Sequence, residues 1–234
     1  MVCFFFLLVN QWIPKVWQYL LFTAFVSDIL ALEVKSMLNL IKGCRIHDPS
    51  VLNEGYEITD YGFVANVDAD KIQALFESFV KLHNDMCFLV LEVPTNAKEE
   101  TAFSSDGASA LHKDVYYLDG LTPDRAVELL NVFGKWLIND GLSTFGFGIH
   151  SGGHEILSGK YNVITVYARD KEIYKGFFEK CGIQQVRELK TAWDYFAQSN
   201  PGESFSYSFN GTNIYDLVEH LKQYGLYFAE RREA

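Results

Sequence analysis

The sequence predicts a single α+β domain with a mostly antiparallel sheet and helices packed on one face of that sheet. Two observations indicate this class. Strand-like runs are joined by short glycine-containing turns more often than by helices, so hairpins outnumber the crossovers that parallel strands need. Segments with apolar residues at helical spacing interrupt these runs, and each has one apolar stripe that can cover a sheet.

The first predicted elements lie between residues 56 and 83. Tyr56–Val67 is rich in β-branched and aromatic residues around Tyr61-Gly62, which predicts a bent strand or a short hairpin. Asp68 is a suitable N-cap for the segment after it, where apolar residues recur at helical spacing. We therefore expect a helix over residues 69–83.

The next stretch contains the predicted centre of the sheet. Cys87–Val93 is an almost continuous apolar run that ends at Pro94, which is typical of a buried strand. Residues 95–113 are small, polar and weakly patterned, which predicts a long loop. Val115–Leu118 then predicts a short strand.

Residues 122–141 give the clearest helical pattern in the chain. Thr122 can cap the helix, Pro123 suits its first position, and Asp124 complements the positive end of the helix dipole. Asp140-Gly141 ends the pattern. The apolar stripe between them consists of Ala126, Leu130, Phe133 and Leu137.

The second half of the chain predicts an antiparallel meander followed by shorter elements. Two turns that contain glycine separate its strand-like runs. Serine alternates with aromatic residues near position 205, which predicts a half-buried strand. We predict strands over Thr144–His150, His154–Leu157, Tyr161–Ala168 and Ser204–Phe209, and helices over 170–180, 191–198 and 213–224.

The composition indicates a folded, acidic protein. Of the 234 residues, 49% are hydrophobic and 15% aromatic, and the formal net charge is -10. Such an acidic balance argues against non-specific binding to nucleic acids or to anionic membranes, whose phosphates it would repel. The scattered cysteines form no C-x-x-C pair, which favours reduced thiols in a cytosol.

The apolar first segment raises the question of a membrane. Leu32–Met37 can be encoded by a stretch that resembles a bacterial ribosome-binding site before an AUG codon, so we expect translation to start at Met37. Residues 1–36 would then be a non-native leader, and 37–234 the single domain. The alternative is a membrane anchor through residues 1–32, although Lys15 at the bilayer centre would cost roughly 2.5–3.5 kcal/mol.

A glycine-rich hairpin is the first candidate for chemistry. Gly146-x-Gly148 resembles the start of a nucleotide-binding loop, but strands follow it where such a loop needs a helix. We therefore expect a hairpin in which the two glycines allow a close approach of neighbouring groups or a β-bulge. His150, His154 and Glu155 flank the turn and are candidates for a metal set or for an acid–base pair. The spacing H-x-x-x-H has its usual meaning only on a helix, so we predict no metal and no cofactor.

Acidic residues are concentrated between Asn84 and Glu128, where they far outnumber the basic ones. An acidic loop beside a helix is a suitable docking surface for a cationic partner. The candidate partner-binding residues are Glu99, Glu100, Asp106, Asp114 and Asp119, with Tyr116 and Tyr117 as aromatic anchors.

These patterns favour a binding function over catalysis. We expect a small cytoplasmic bacterial protein that binds a basic protein, such as an immunity or inhibitor protein that neutralises a cationic toxin or nuclease. Neither nucleic acid nor, for a chain that starts at Met37, a membrane is an expected partner. The alternative is an enzyme or metal-binding protein with its site at the Gly146–Glu155 hairpin.

Overall fold

The computed structural model describes residues 38–97, 99–100 and 111–233. Residues 37–234 form one compact unit, and the predicted leader lies outside the described residues. The α-helices with described bounds are α1 (Ala69–His83), α2 (Pro123–Asn139) and α3 (Ile214–Lys222). The strands are β1 (Cys44–Arg45), β2 (Gly55–Thr59), β3 (Gly62–Asn66), β4 (Cys87–Pro94), β5 (His112–Leu121), β6 (Thr144–Ile149), β7 (His154–Ser158), β8 (Val163–Ala168), β9 (Glu203–Ser204) and β10 (Tyr227–Glu233).

The predicted α+β class is confirmed. Eight strands form an antiparallel sheet in the order β10-β5-β4-β6-β7-β8-β3-β2, and β1 and β9 pair in a separate two-stranded sheet. Helices α1 and α2 pack on each other and against the central strands, and α3 packs on α2. The Phe76 ring of α1 stacks on Phe145 of β6 with centroids 4.7 Å apart, which places the main core between this helix and the sheet.

Both long helices begin at the residues that the sequence predicts. The Asp68 carboxylate accepts a hydrogen bond from the Asp70 N–H at 3.0 Å, and the Thr122 hydroxyl accepts one from the Arg125 N–H at 3.3 Å. These bonds satisfy donors that the first turn of a helix leaves without a partner. The predicted N-termini are therefore correct, and the apolar stripe of α2 is buried against the core.

Two predicted helices in the second half are wrong. In place of the helix predicted over residues 170–180, the chain forms 3-10 turns at Glu172–Tyr174 and Glu179–Cys181. Gly176 between them takes a left-handed φ of 72°, which interrupts a helix. Residues 191–198 contain only the 3-10 turn Ala192–Tyr195. The backbone is extended at the next residue, Phe196, whose ring packs on that of Tyr161.

Two strand predictions also need correction. Of the predicted strand Ser204–Phe209 only Ser204 pairs with another strand, as the last residue of β9. The backbone beyond it bonds instead to Gly43, Gly141 and the Asp140 side chain. Strand β10 was not predicted at all, and it forms one edge of the main sheet beside β5.

Asn162 holds the start of the described chain against the sheet. Its amide nitrogen donates to the carbonyls of Asn39 at 2.8 Å and Val67 at 2.7 Å, and its amide oxygen accepts from the Ile41 N–H at 2.8 Å. Asn162 and the preceding Tyr161 both have left-handed φ values, 62° and 57°. The buried hydrogen bonds offset the backbone strain of two successive non-glycine residues in this region.

Candidate functional site

The described helices pack on one face of the main sheet, and the candidate site lies on the opposite face. Alternate residues of each strand point to this side, and the strand register fixes which of them are neighbours. We call this surface the helix-free face. On β4 it includes Phe88, Val90 and Glu92, whose neighbours in sequence point into the core.

Two glycines flatten the middle of the helix-free face. Gly148 lies opposite Phe88 and Gly146 lies opposite Leu157 in the register of the sheet. A Cβ atom on Gly148 would stand 2.5 Å from Cε1 and 2.7 Å from Cε2 of Phe88, so the ring lies directly over the glycine. A Cβ on Gly146 would overlap Leu157 in the same way. The expected close approach at this hairpin is therefore present.

An aromatic cluster occupies one end of the helix-free face. The Phe88 ring centroid lies 5.6 Å from that of Tyr117 and 5.0 Å from that of His150, and Tyr117 lies 6.4 Å from Tyr227. Asp119 joins the cluster, since it accepts a hydrogen bond from the Tyr227 hydroxyl at 2.6 Å and lies 3.4 Å from His150 Nε2. We call Phe88, Tyr117, Asp119, His150 and Tyr227 the aromatic cluster.

Glu155 lies beside this cluster on the same face. In the register it is opposite Gly148 on one side and Tyr167 on the other. The Tyr167 ring in turn packs against Tyr61 at a centroid distance of 5.4 Å. No cation in the described part of the chain lies within ion-pair distance of Glu155. The face therefore presents a carboxylate between two groups of aromatic rings.

The hairpin residues proposed as a catalytic or metal set are not brought together. His154 points to the core side of the sheet, whereas its neighbour Glu155 and the exposed His150 lie on the opposite side or at the turn. The His154 ring packs 4.8 Å from His83, and His83 Nε2 shares a 2.8 Å hydrogen bond with the Tyr174 hydroxyl. These three rings form a separate buried cluster.

Burial controls the charge state of the two buried histidines. Burial, with a smaller effect of the neighbouring His154 and an opposing effect of Asp85, lowers the pKa of His83 to about 4. Burial also lowers the pKa of His154, whose Nδ1 atom has no hydrogen-bond partner among the described residues. Both imidazoles are therefore neutral at pH 7. Within residues 38–97, 99–100 and 111–233 no group of three His, Cys, Asp or Glu side chains is placed to hold a metal ion.

Several of the predicted partner-binding acids are paired inside the protein. Asp114 is buried and accepts hydrogen bonds from Arg231 at 2.6 and 3.0 Å and from Thr95 at 2.8 Å. Arg231 also contacts Glu99, and this contact lowers the pKa of the Glu99 carboxyl. The hydrogen bonds to Asp114 and, second, to Glu99 raise the pKa of the guanidinium. The Glu100 carboxylate lies 2.8 Å from His112 Nδ1.

The other predicted partner-binding residues divide between the two faces. Tyr116 is half-buried on the helix side, where its ring packs on Phe228 at a centroid distance of 5.7 Å. Tyr117 and Asp119 belong to the aromatic cluster, so these two remain on the proposed surface. Asp106 lies outside the described residues.

Comparison with known proteins gives no assignment. No protein family, curated protein or solved structure matches this chain. No helix in the described ranges is long and apolar enough to cross a membrane. The case for a function therefore depends on the geometry of the helix-free face.

The sequence interpretation missed three residues that shape this region. Phe88 was assigned only to a buried strand, and Tyr227 and Arg231 belong to the strand that was not predicted. A signal was present for β10, because the β-prone residues Tyr227 and Phe228 follow soon after Gly225, which ends the helical pattern. No local signal showed that this strand pairs with β5.

Proposed function

We propose that this protein acts by binding another protein that carries a basic surface, and that the helix-free face is the docking surface. The observation that carries the proposal is the combination of the aromatic cluster with Glu155, a carboxylate without a cation in the described part of the chain. Aromatic residues dominate the energy of many protein interfaces, and charge complementarity speeds and directs association.

The charges of the helix-free face support a cationic partner. Glu92 is already neutralised, since Lys113 lies 3.5 Å away and Arg232 also contacts it. Asp119 and Glu155 remain at the exposed end of the face. The net charge of -10 adds a longer-range attraction for basic proteins at low ionic strength.

One concrete form of this function is a cytoplasmic bacterial immunity or inhibitor protein that covers the basic site of a toxin or nuclease. The free thiols of Cys44, Cys87 and Cys181 are compatible with a reducing compartment. The same acidic charge disfavours nucleic acid as a direct partner. For a chain that begins at Met37, we propose no membrane contact.

The alternative of an enzyme or metal site at the Gly146–Glu155 hairpin receives less support. Such a site needs His150, His154 and Glu155 to converge, and His154 lies on the core side of the sheet. Acid–base catalysis needs its groups within hydrogen-bond reach of one substrate. The geometry does not favour this second function.

A charge reversal on the helix-free face tests the proposal. The bait is the full chain in three forms: wild type, Glu155→Lys, and the control Glu128→Lys. Glu128 is exposed on α2, on the helix side of the sheet, and its replacement changes the net charge by the same amount. Each form is used for affinity capture from native cells at low salt and again at high salt.

We expect basic proteins to be retained by wild type and by Glu128→Lys, released by salt, and lost with Glu155→Lys. Purified partner should then bind with the same ranking in a titration. Equal retention by all three forms would place the interface elsewhere. Retention that is insensitive to salt would remove the electrostatic basis of the proposal.

A further inference from the structure

A second surface with the opposite charge lies outside the main sheet. The segment Phe205–Phe209 continues beyond β9, with aromatic residues at every second position. Its backbone is fixed, because the Phe205 N–H donates to the Gly43 carbonyl at 2.9 Å and its carbonyl accepts from the Gly141 N–H at 3.1 Å. The Tyr207 N–H donates to Asp140 Oδ1 at 2.9 Å.

Each aromatic ring of this segment makes a cation–π contact with a lysine or arginine side chain. The Arg45 guanidinium lies 4.9 Å from the centroid of Phe205, and the Lys42 ammonium lies 5.7 Å from that of Tyr207. The Lys135 ammonium, which comes from α2, lies 3.1 Å from the centroid of Phe209. We call Arg45, Lys42 and Lys135 the cationic row.

The cationic row is not neutralised within the part of the chain that the structure describes. All three side chains are exposed, and none forms an ion pair with a described carboxylate. Glu203 lies opposite Arg45 in the short ladder, yet the guanidinium rests on Phe205 instead. The nearby Asp140 is only 2% exposed, and its oxygens accept from backbone N–H groups and from a serine hydroxyl.

The contacts with the rings stabilise the fold only modestly. An exposed cation–π contact contributes about 0.5–1 kcal/mol, and it leaves the outer side of the cation open to solvent or to an anion. In a chain where acids outnumber bases by 30 to 20, three exposed cations along one segment form a local exception to the overall charge. The rings beneath these cations belong to every second residue of one segment, namely Phe205, Tyr207 and Phe209.

We propose that the cationic row binds an extended acidic peptide of a partner protein. Alternate residues of an extended peptide lie about 6.6 Å apart, and the three rings belong to alternate residues of the segment Phe205–Phe209. A peptide with Asp or Glu at every second position would therefore place one carboxylate near each cation. The helix-free face and the cationic row then contact chemically opposite partners.

Labelled peptides of equal length test this inference against the full chain. The first alternates Glu with Thr, the second has the same composition with its Glu residues in one block, and the third alternates Lys with Thr. Binding is followed by fluorescence anisotropy at low and at moderate salt. The protein forms are wild type, the triple variant Lys42→Gln, Arg45→Gln and Lys135→Gln, and the control Lys175→Gln, which removes an exposed lysine elsewhere.

The alternating acidic peptide should bind wild type and the control most tightly, and added salt should weaken it. Each cation removed should lower the affinity about two- to fivefold, as for surface ion pairs. Two results with the wild-type protein alone would overturn the inference. One is binding of the alternating peptide that does not weaken as salt is added, and the other is binding of the block peptide as tight as that of the alternating one. So would tighter binding of single-stranded DNA through the same three residues, which would make a nucleic acid the occupant.

Discussion

The packing of Phe88 over Gly148 gives the most direct test of the helix-free face. Replacement of Gly148 by alanine would place a Cβ atom 2.5 Å from Cε1 and 2.7 Å from Cε2 of the Phe88 ring. The Cζ atom of the ring would be closer still. Carbon atoms pack best at about 3.5–4.0 Å, so the ring must move by more than about 1 Å. Since this ring joins Tyr117 and His150, the whole aromatic cluster depends on the glycine.

The expected cost follows from two opposing effects. Forcing an extra carbon into a packed contact costs about 1–3 kcal/mol. Alanine also restricts the unfolded chain more than glycine does, which favours the variant by about 0.5–1 kcal/mol. We therefore expect Gly148→Ala to lower the free energy of unfolding by about 1 kcal/mol. In a Phe88→Ala background the clash disappears, and the same change should raise it by about 0.5–1 kcal/mol.

Urea unfolding of four proteins measures this reversal. The set comprises wild type, Gly148→Ala, Phe88→Ala and the double variant, and the coupling free energy should be about 1–3 kcal/mol. A Phe228→Ala background serves as the matched control, because this exposed ring lies away from Gly148 and should leave the cost unchanged. If Gly148→Ala has the same effect with and without Phe88, the ring does not lie over the glycine.

Three further predictions concern the buried polar groups. Asn162→Ala should cost about 3 kcal/mol or more of unfolding free energy, because three backbone groups, two of them in buried hydrogen bonds, lose their partner; a loss below 1 kcal/mol in urea titrations would contradict this role. Because burial lowers the pKa of His83 to about 4 and also lowers that of His154, stability should be complete above pH 6.5. It should fall by up to about 3 kcal/mol as the pH drops from 6.5 towards 4, and a His83→Phe variant should show a shallower decline in the same range. Arg231→Leu should destabilise the protein by about 3–5 kcal/mol by leaving Asp114 buried without its cation, whereas adding Asp114→Asn should recover part of the loss; thermal melts that show no recovery would argue against this pairing.

Features with a local cause were predictable from the sequence. The caps of α1 and α2 depend on residues two or three positions away, so Asp68 and Thr122 identify both helix starts. The buried strand Cys87–Pro94 follows from its apolar run in the same way. The prediction failed where local pattern conflicted with one residue, as at Gly176, whose left-handed φ divides the expected helix.

The partners of the charged residues could not be predicted, because they are set by contacts distant in sequence. In the sequence, Asp114 is one of several acids in an acidic segment. In the fold, pairing of β10 with β5 places Arg231 beside it. The same strand provides Tyr227, which bonds to Asp119. The net charge of a segment therefore overstates how many of its carboxylates face a partner.

The sequence did contain the information needed to predict which residues of the hairpin face the core, because aromatic residues and glycines alternate along its first strand. Phe145 and Phe147 alternate with Gly146 and Gly148, and strands place alternate residues on opposite faces. Since the phenylalanines belong in the core, the glycines must face outward. Ile149 pairs with His154 across the hairpin, so this histidine shares the core side.

This alternation also bears on the choice between binding and catalysis. At its centre the helix-free face has two glycines, which supply no side chains that could donate or accept protons. The space above them is filled by the ring of Phe88 over Gly148 and by the side chain of Leu157 beside Gly146. Such a surface suits the contact with another protein that we propose, whereas acid–base chemistry needs polar groups that converge in a concave site. The charged residues Asp119 and Glu155 lie around the ring of Phe88, as polar rims surround the apolar centres of protein interfaces. Because Gly146 and Gly148 leave no polar side chains at the centre of this face, they favour the proposed docking surface over a catalytic site.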